Sequence, residues 1–180
     1  GGTTTLGTPL IITGKLSLDA GTLANNGNAI SLSGSIAGTG TLSGTGTTTL
    51  TGSGSTISGV SLTNLTLNNT SGFTLTGNLT VTGQLTLTAG NLDISSYNLT
   101  FGPSAPAIAG TFSASKMIIA SGGGTVRKSA TNAATASFMF PIGDNTGTVE
   151  YSPITLTYSG GSYSGYSSVR VVNAKHPSNA

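Results

Sequence analysis

Only four carboxylates occur in this 180-residue chain, Asp19, Asp93, Asp144 and Glu150, together with one histidine, His176, and no cysteine. Acid–base cleavage of a polymer needs paired carboxylates, or a base with a cation or metal, on one surface. The spacing gives no such pair. Asp19 and Asp93 fall out of step with the internal repeat described below, and Asp144 and Glu150 lie in a compositionally different part of the chain. All four read as solvated turn residues. His176 stands beside Pro177, with no sequence partner for a triad and no Gly-x-Ser-x-Gly elbow. Asp144-Asn145-Thr146-Gly147 offers oxygens of the kind calcium takes, but lacks the further acidic ligands of a calcium loop and reads as a hairpin turn. The many glycines have neither the strand–loop–helix context nor the Gly-Lys-Ser/Thr ending of a phosphate loop. No catalytic, cofactor-binding or metal-binding residue is therefore assigned, no cofactor is expected, and the chain is not expected to be an enzyme.

Hydroxyl groups are the chemistry that does recur. Thr74/Thr76, Thr80/Thr82 and Thr86/Thr88 form Thr-x-Thr pairs six residues apart. Flat arrays of such pairs on one face bind ice. Here the six-residue spacing predicts that successive pairs fall on different faces of a three-sided coil. At a coil period of 20, Thr80/Thr82 needs a matching pair at 100 and 102, where Thr100 and Gly102 stand. A regular ice-binding ladder is not expected. Outward Thr favouring the strand conformation accounts for the pattern.

These hydroxyls must be held by some regular backbone, and its signature is a hydrophobic beat. Phe73, Leu79, Leu85, Leu92 and Leu99 are separated by 6, 6, 7 and 7 residues; Leu10, Leu16, Leu23, Ile30, Ile36 and Leu42 by 6, 7, 7, 6 and 6. Between the beats lie turn formers such as Gly77-Asn78, Gly83-Gln84 and Ala89-Gly90-Asn91. Six residues are too few for an ordinary hairpin strand with its loop. They suit a short strand and a corner, three of which close one coil, so that Leu79 to Leu99 is one turn. Residues 3–32 also align with 72–101 at a constant offset of 69, with Leu10/Leu79, Gly14/Gly83, Leu16/Leu85 and Leu23/Leu92 among the identities. Internal repetition of this kind marks a solenoid. The stretch from Gly34 to Gly59 is poorest in bulky residues and is expected to form thinner coils or a flexible segment. Helix signals are nearly absent.

Composition narrows the partners. Thr (32), Ser (25) and Gly (28) make up nearly half the chain and charged residues only ten, so the surface is unusually neutral. Six cations, of which only Arg127 and Lys128 are adjacent, do not make a polyanion-binding stripe, and no nucleic-acid partner is expected. No apolar run reaches the ~20 residues of a spanning helix, so the chain is read as not membrane-spanning. Gly1-Gly2-Thr3-Thr4-Thr5 is neither basic nor apolar and is not read as a signal peptide.

From Lys116 onward charges and most tyrosines concentrate, and strands are predicted at Lys116–Ala120, Gly124–Lys128, Ser137–Pro141, Ile154–Tyr158 and Ser167–Val172. The fold class is thus all-β: a parallel β-solenoid (β-helix) over 1–112, then a small antiparallel, sandwich-like β module over 113–180 that caps it.

Gly90-Asn91-Leu92-Asp93-Ile94 with Asn98-Leu99-Thr100-Phe101-Gly102 resembles a coil of secreted β-solenoid repeat proteins of Bacteroidetes-type bacteria. Gly124-Thr125-Val126-Arg127-Lys128, Phe138-Met139-Phe140-Pro141-Ile142-Gly143 and Tyr151-Ser152-Pro153-Ile154-Thr155-Leu156 resemble the β module that follows such coils. The resemblance implies an exported, adhesin-like surface protein, often cargo of the type IX pathway. The expected role is structural and extracellular: an adhesin segment or a filament subunit, with copies of itself joined head to tail, or adjacent repeats of a larger surface protein, as partners. Leu6, Leu10, Ile11 and Ile12 are the candidate joint residues, because an open solenoid end accepts a further strand or coil. The alternative is a carbohydrate- or ice-binding module, with Tyr151, Tyr158, Tyr163 and Tyr166 as candidates for stacking on surface glycans.

Overall fold

A computed structural model describes residues 1–129, 135–159, 161 and 163–172. Lys175 and His176 lie outside them. Every regular element among the described residues is a strand, and the strands wind into a parallel β-solenoid of about 7 turns with a small antiparallel sheet at the C-terminus.

The first coil contains β1 (Thr3–Thr5), β2 (Leu10–Ile12) and β3 (Leu16–Leu18), one strand to each face. The second contains β4 (Thr22–Ala24), β5 (Ile30–Leu32) and β6 (Ile36–Gly38). In the third and fourth, β7 (Thr41–Leu50) and β9 (Ser61–Asn68) run through a corner and serve the first two faces, while β8 (Thr56–Ser58) and β10 (Phe73–Leu75) form the third. The fifth has β11 (Leu79–Val81), β12 (Leu85–Ala89) and β13 (Leu92–Asp93). The sixth has β14 (Leu99–Phe101) and β15 (Ile118–Ile119), and the seventh β16 (Val126–Ser129), β17 (Thr135–Phe140) and β18 (Ile142–Asp144). Three short strands follow: β19 (Glu150–Tyr151), β20 (Ile154–Ser159) and β21 (Tyr166–Val169).

The register shows why the beat has the length it does. Leu79 pairs with Leu99, 20 residues and one coil later, and the other coils up to there are 17 to 21 residues long. Each interior position continues as a column. On the first face Leu23, Leu42, Leu62, Val81 and Phe101 stack in register; on the second Ile12, Leu32, Leu50, Leu67 and Leu87; on the third Phe73, Leu92, Ile118 and Ile142. From Ile30 to Ile142 nearly all of these are within 3 % of full burial. Each such side chain contributes roughly 1.5–3 kcal/mol through burial. The offset of 69 carries β1 on the first face onto β10 on the third, so the sequence repeat is one strand and its corner, whichever face it serves.

The Gly34–Gly59 stretch is ordinary coil. It buries Ile36, Leu42, Leu50 and Ile57 completely or nearly so, and lacks bulk only because its corners are made of backbone. One corner shows the device. Asn25, fully buried, accepts hydrogen bonds at Oδ1 from Gly46 N (3.0 Å) and Gly27 N (3.2 Å), and its Nδ2 donates to Gly46 O (2.8 Å). Gly44, at φ 103°, leaves the space this side chain fills.

Parallel pairing does not stop near residue 112. β14 pairs with β16, β13 with β15 and β15 with β18, all parallel, so the solenoid runs through Ile142–Asp144. The beat is lost there because residues 102–117 form an insertion where the sixth coil's second-face strand belongs; Ala109 makes a parallel β-bridge back to Thr86 there. Corner partners that are 20 residues apart at Asn78/Asn98 become 27 apart at Asn98/Thr125.

The antiparallel part is a coil wound backwards. After the turn at 145–149, β19 pairs antiparallel with β18, β20 with β17 and β21 with β16. The chain thus retraces its last coil in reverse and closes that end. Of the strands predicted in this region, those at Ser137–Pro141, Ile154–Tyr158 and Ser167–Val172 contribute to antiparallel pairs, whereas Lys116–Ala120 extends the parallel third face.

Candidate assembly surface

The two ends of the solenoid differ. At the N-terminal end β1, β2 and β3 each pair on one side only, with β4, β5 and β6. Their outer N–H and C=O groups form a strand edge, the feature that templates pairing with another chain. Behind that edge Leu6, Leu10, Ile12, Leu16 and Leu18 are only partly buried, packed on the completely buried Ile30, Leu32 and Ile36 of the next coil. At the other end Phe138, Phe140 and Ile142 are buried and the reversed coil covers them.

Three of the four candidate joint residues therefore belong to the open ladder. Leu6 N donates to Ala24 O (2.8 Å) and Leu10 N to Ala29 O (3.0 Å), while Ile12 O accepts from Ser33 N (2.9 Å). These bonds fix the first coil on the second. Ile11 is different: strand alternation turns it outward on the second face, opposite Ser31, and leaves it 80 % exposed. It is not part of the apolar ladder behind the edge.

Asp144 and Glu150 stand opposite each other in the β18–β19 pair, and Asp144 is buried, not the solvated turn residue expected; Asp19 and Asp93 are engaged locally. Asp19 accepts from Ser17 Oγ (2.9 Å), and Asp93 from Ser95 N (2.7 Å) and Oγ. Asp144 is held below the usual carboxylate range by the Ser121 hydroxyl and the Thr146 amide. The Asp144–Gly147 segment forms the expected turn, with Gly147 at φ 77° between β18 and β19. Among the described residues no group of three or more His, Cys, Asp or Glu is placed to hold a metal ion, and no helix is long and apolar enough to cross a membrane.

The tyrosines do not form a common stacking surface. Tyr158 is buried and meets Tyr163 edge-on at 5.8 Å, while Tyr166 lies under the Arg127 guanidinium at 4.6 Å. Tyr151 pairs through β19 with Gly143.

The Thr pairs do fall on different faces: Thr74 on the third, Thr80 on the first, Thr86 on the second. Yet one regular hydroxyl column exists. Thr3, Thr22, Thr41, Ser61, Thr80 and Thr100 stand in register across six coils of the first face. Two residues along, Thr5, Ser43, Thr63 and Thr82 add a second column, interrupted by Ala24 and Gly102. At 100 and 102 the array reaches its end, where Gly102 replaces the second hydroxyl.

Sequence reasoning missed Lys128. Alternation within Val126-Arg127-Lys128 was the available signal: if Val126 points inward, so does Lys128. It is 4 % exposed, and its Nζ donates to the carbonyls of Gly102 and Pro103. No protein-family model, curated protein or solved structure matches this chain.

Proposed function

We propose that this chain is a structural segment of an extracellular surface protein, an adhesin stalk or filament subunit, that joins a further coil through its open N-terminal end. The carrying observation is how the two ends cover the core: at one a strand edge lies over a half-buried Leu/Ile ladder, at the other a reversed coil, whose own outer edge is likewise unpaired, covers buried Phe138, Phe140 and Ile142. The neutral, hydroxyl-rich surface and the absence of cysteine fit an exposed scaffold stabilised by backbone ladders. A second copy is the occupant put forward first. In a head-to-tail joint its reversed coil presents strands running opposite to β1–β3, so the junction pairs antiparallel. Sedimentation and electron microscopy over a concentration series test this. Oligomers or filaments lost in a Leu10→Lys variant that retains its melting transition support it; a monomer at every concentration overturns the homopolymer.

The hydroxyl column favours a second reading, recognition of an ordered, uncharged surface such as ice. Strand rise and coil spacing set the groups on a grid of about 6.7 by 4.8 Å. Thermal hysteresis that disappears on Ser61→Tyr, at the middle of the column, supports this reading, and its absence in the wild type removes it.

A further inference from the structure

The seventh coil carries a cation where the earlier ones carry hydrocarbon. Leu23, Leu42, Leu62, Val81 and Phe101 form one interior column, and the next position in register is Lys128. Its ammonium has three donors. Two are spent on Gly102 O and Pro103 O (2.8 Å), and the nitrogen lies 5.4 Å from the Phe138 ring centre. Burial pushes its pKa below 10.5, and no carboxylate among the described residues offsets that.

A second polar group is unspent nearby. Tyr158 is 8 % exposed, and its hydroxyl is buried without a hydrogen-bond partner. A buried donor left unsatisfied costs about 1–3 kcal/mol. Lys128 and Tyr158 line the same cavity of about 210 Å³, between the 102–109 insertion and the β17–β20 pair. Its other walls include Pro103, Ala105, Ala107 and Phe138.

A positive charge, two spare donors and mostly apolar walls define the guest; the remaining hydroxyl of the lining, Ser137 Oγ, is hydrogen-bonded to Thr157 Oγ1 (2.9 Å). It accepts hydrogen bonds, carries negative charge and has a short hydrocarbon body. We propose that this cavity binds a small carboxylate, with Lys128 Nζ and Tyr158 Oη donating to its two oxygens and the alkyl part against Phe138 and Ala105. A phosphate dianion fits less well, because two donors leave its remaining oxygens unpaired beside proline and alanine. The carboxylate is either a free short-chain acid or the side chain of a partner's glutamate. The site is at the closed end of the solenoid, so its fate is independent of the N-terminal joint.

Titration calorimetry of the full chain with butyrate, and separately with N-acetyl-glutamate amide, tests it. Saturable binding in the millimolar range is expected for at least one probe, butyrate reporting the free acid and the capped glutamate the side-chain source. Tyr158→Phe is the decisive variant, since it deletes only the orphan hydroxyl. Its affinity falls about tenfold while the melting temperature without ligand is unchanged or raised. Lys128→Met abolishes binding. No saturation with either probe into the hundred-millimolar range, or equal affinity for wild type and Tyr158→Phe, overturns the proposal.

Discussion

Phe138 lays its ring against Phe101, with centroids 5.2 Å apart and planes inclined at 49°. Phe101 ends the hydrocarbon part of an interior column and Phe138 belongs to the strand pair at the closed end, so this contact fastens the covering to the coils. Phe140 continues it edge-on at 4.8 Å from Phe138. Truncating Phe138 to Ala therefore lowers stability by about 3–5 kcal/mol. Phe138→Leu recovers part of the loss. Urea titration followed by far-UV dichroism measures both; a loss under 1 kcal/mol for the Ala variant means the covering contributes little to the coil.

Asn25 has no exposed surface, and both of its amide atoms are used on the next coil's corner. Replacement by Ala strands Gly46 N–H and Gly46 C=O in the interior. The expected cost is about 2–4 kcal/mol, each orphaned group contributing 1–3. Asp restores the acceptor but not the donor and falls between. Thermal melts of the three proteins give the order directly.

Two glycines with similar neighbours in sequence behave oppositely. A Cβ at Gly52 falls on the carbonyl oxygen of Ser33 in the coil below, whereas one at Gly14 meets nothing within 4 Å. Gly52→Ala forces coils apart and costs at least the 1–3 kcal/mol typical of overpacking. Gly14→Ala stays within about 0.5 kcal/mol of wild type. Equal melting temperatures for the two variants would falsify the close-stacking geometry.

Lys128 predicts an alkaline rise in stability. Its folded pKa lies below the unfolded 10.5, so between those values the unfolded chain binds more protons and unfolding becomes harder as pH increases. The penalty is full below the folded pKa and gone above 10.5. Tyr151, raised from 10.0 by burial, acts the other way only once the unfolded phenol begins to ionise near pH 10. Denaturant titrations from pH 7 to 10.5 on wild type and Lys128→Met, in which the tyrosines contribute equally, isolate the lysine. Wild type gains relative to Lys128→Met across that window; parallel pH profiles contradict the burial.

The parallel coils were legible because the interior columns up to Phe101 repeat apolar residues at close to one coil length, as Leu79 and Leu99 show. What the sequence hid was pairing direction. Alternation in Leu99-Thr100-Phe101 and in Ile154–Ser159 looks alike, yet the first joins a parallel face and the second runs antiparallel to β17. Strand alternation is local, while direction depends on where the chain turns, and the 102–117 insertion removed the spacing that would have told the two apart. Among the joint residues, hydrophobicity grouped Ile11 with Leu10 and Ile12, although alternation sends it to the opposite side. Lys128 and Tyr158 were invisible as a pair because 30 residues and a reversal of the chain separate them.

The reversed coil also sets how this molecule bears load. Its ladder bonds lie along the long axis, so tension along that axis strains them one rung at a time, while sideways force is shared by a whole face. At the closed end, the antiparallel return ties the last strands to the chain that follows them. Each coil of about 20 residues that peels away releases roughly 65 Å of chain, which makes the solenoid an extensible tether.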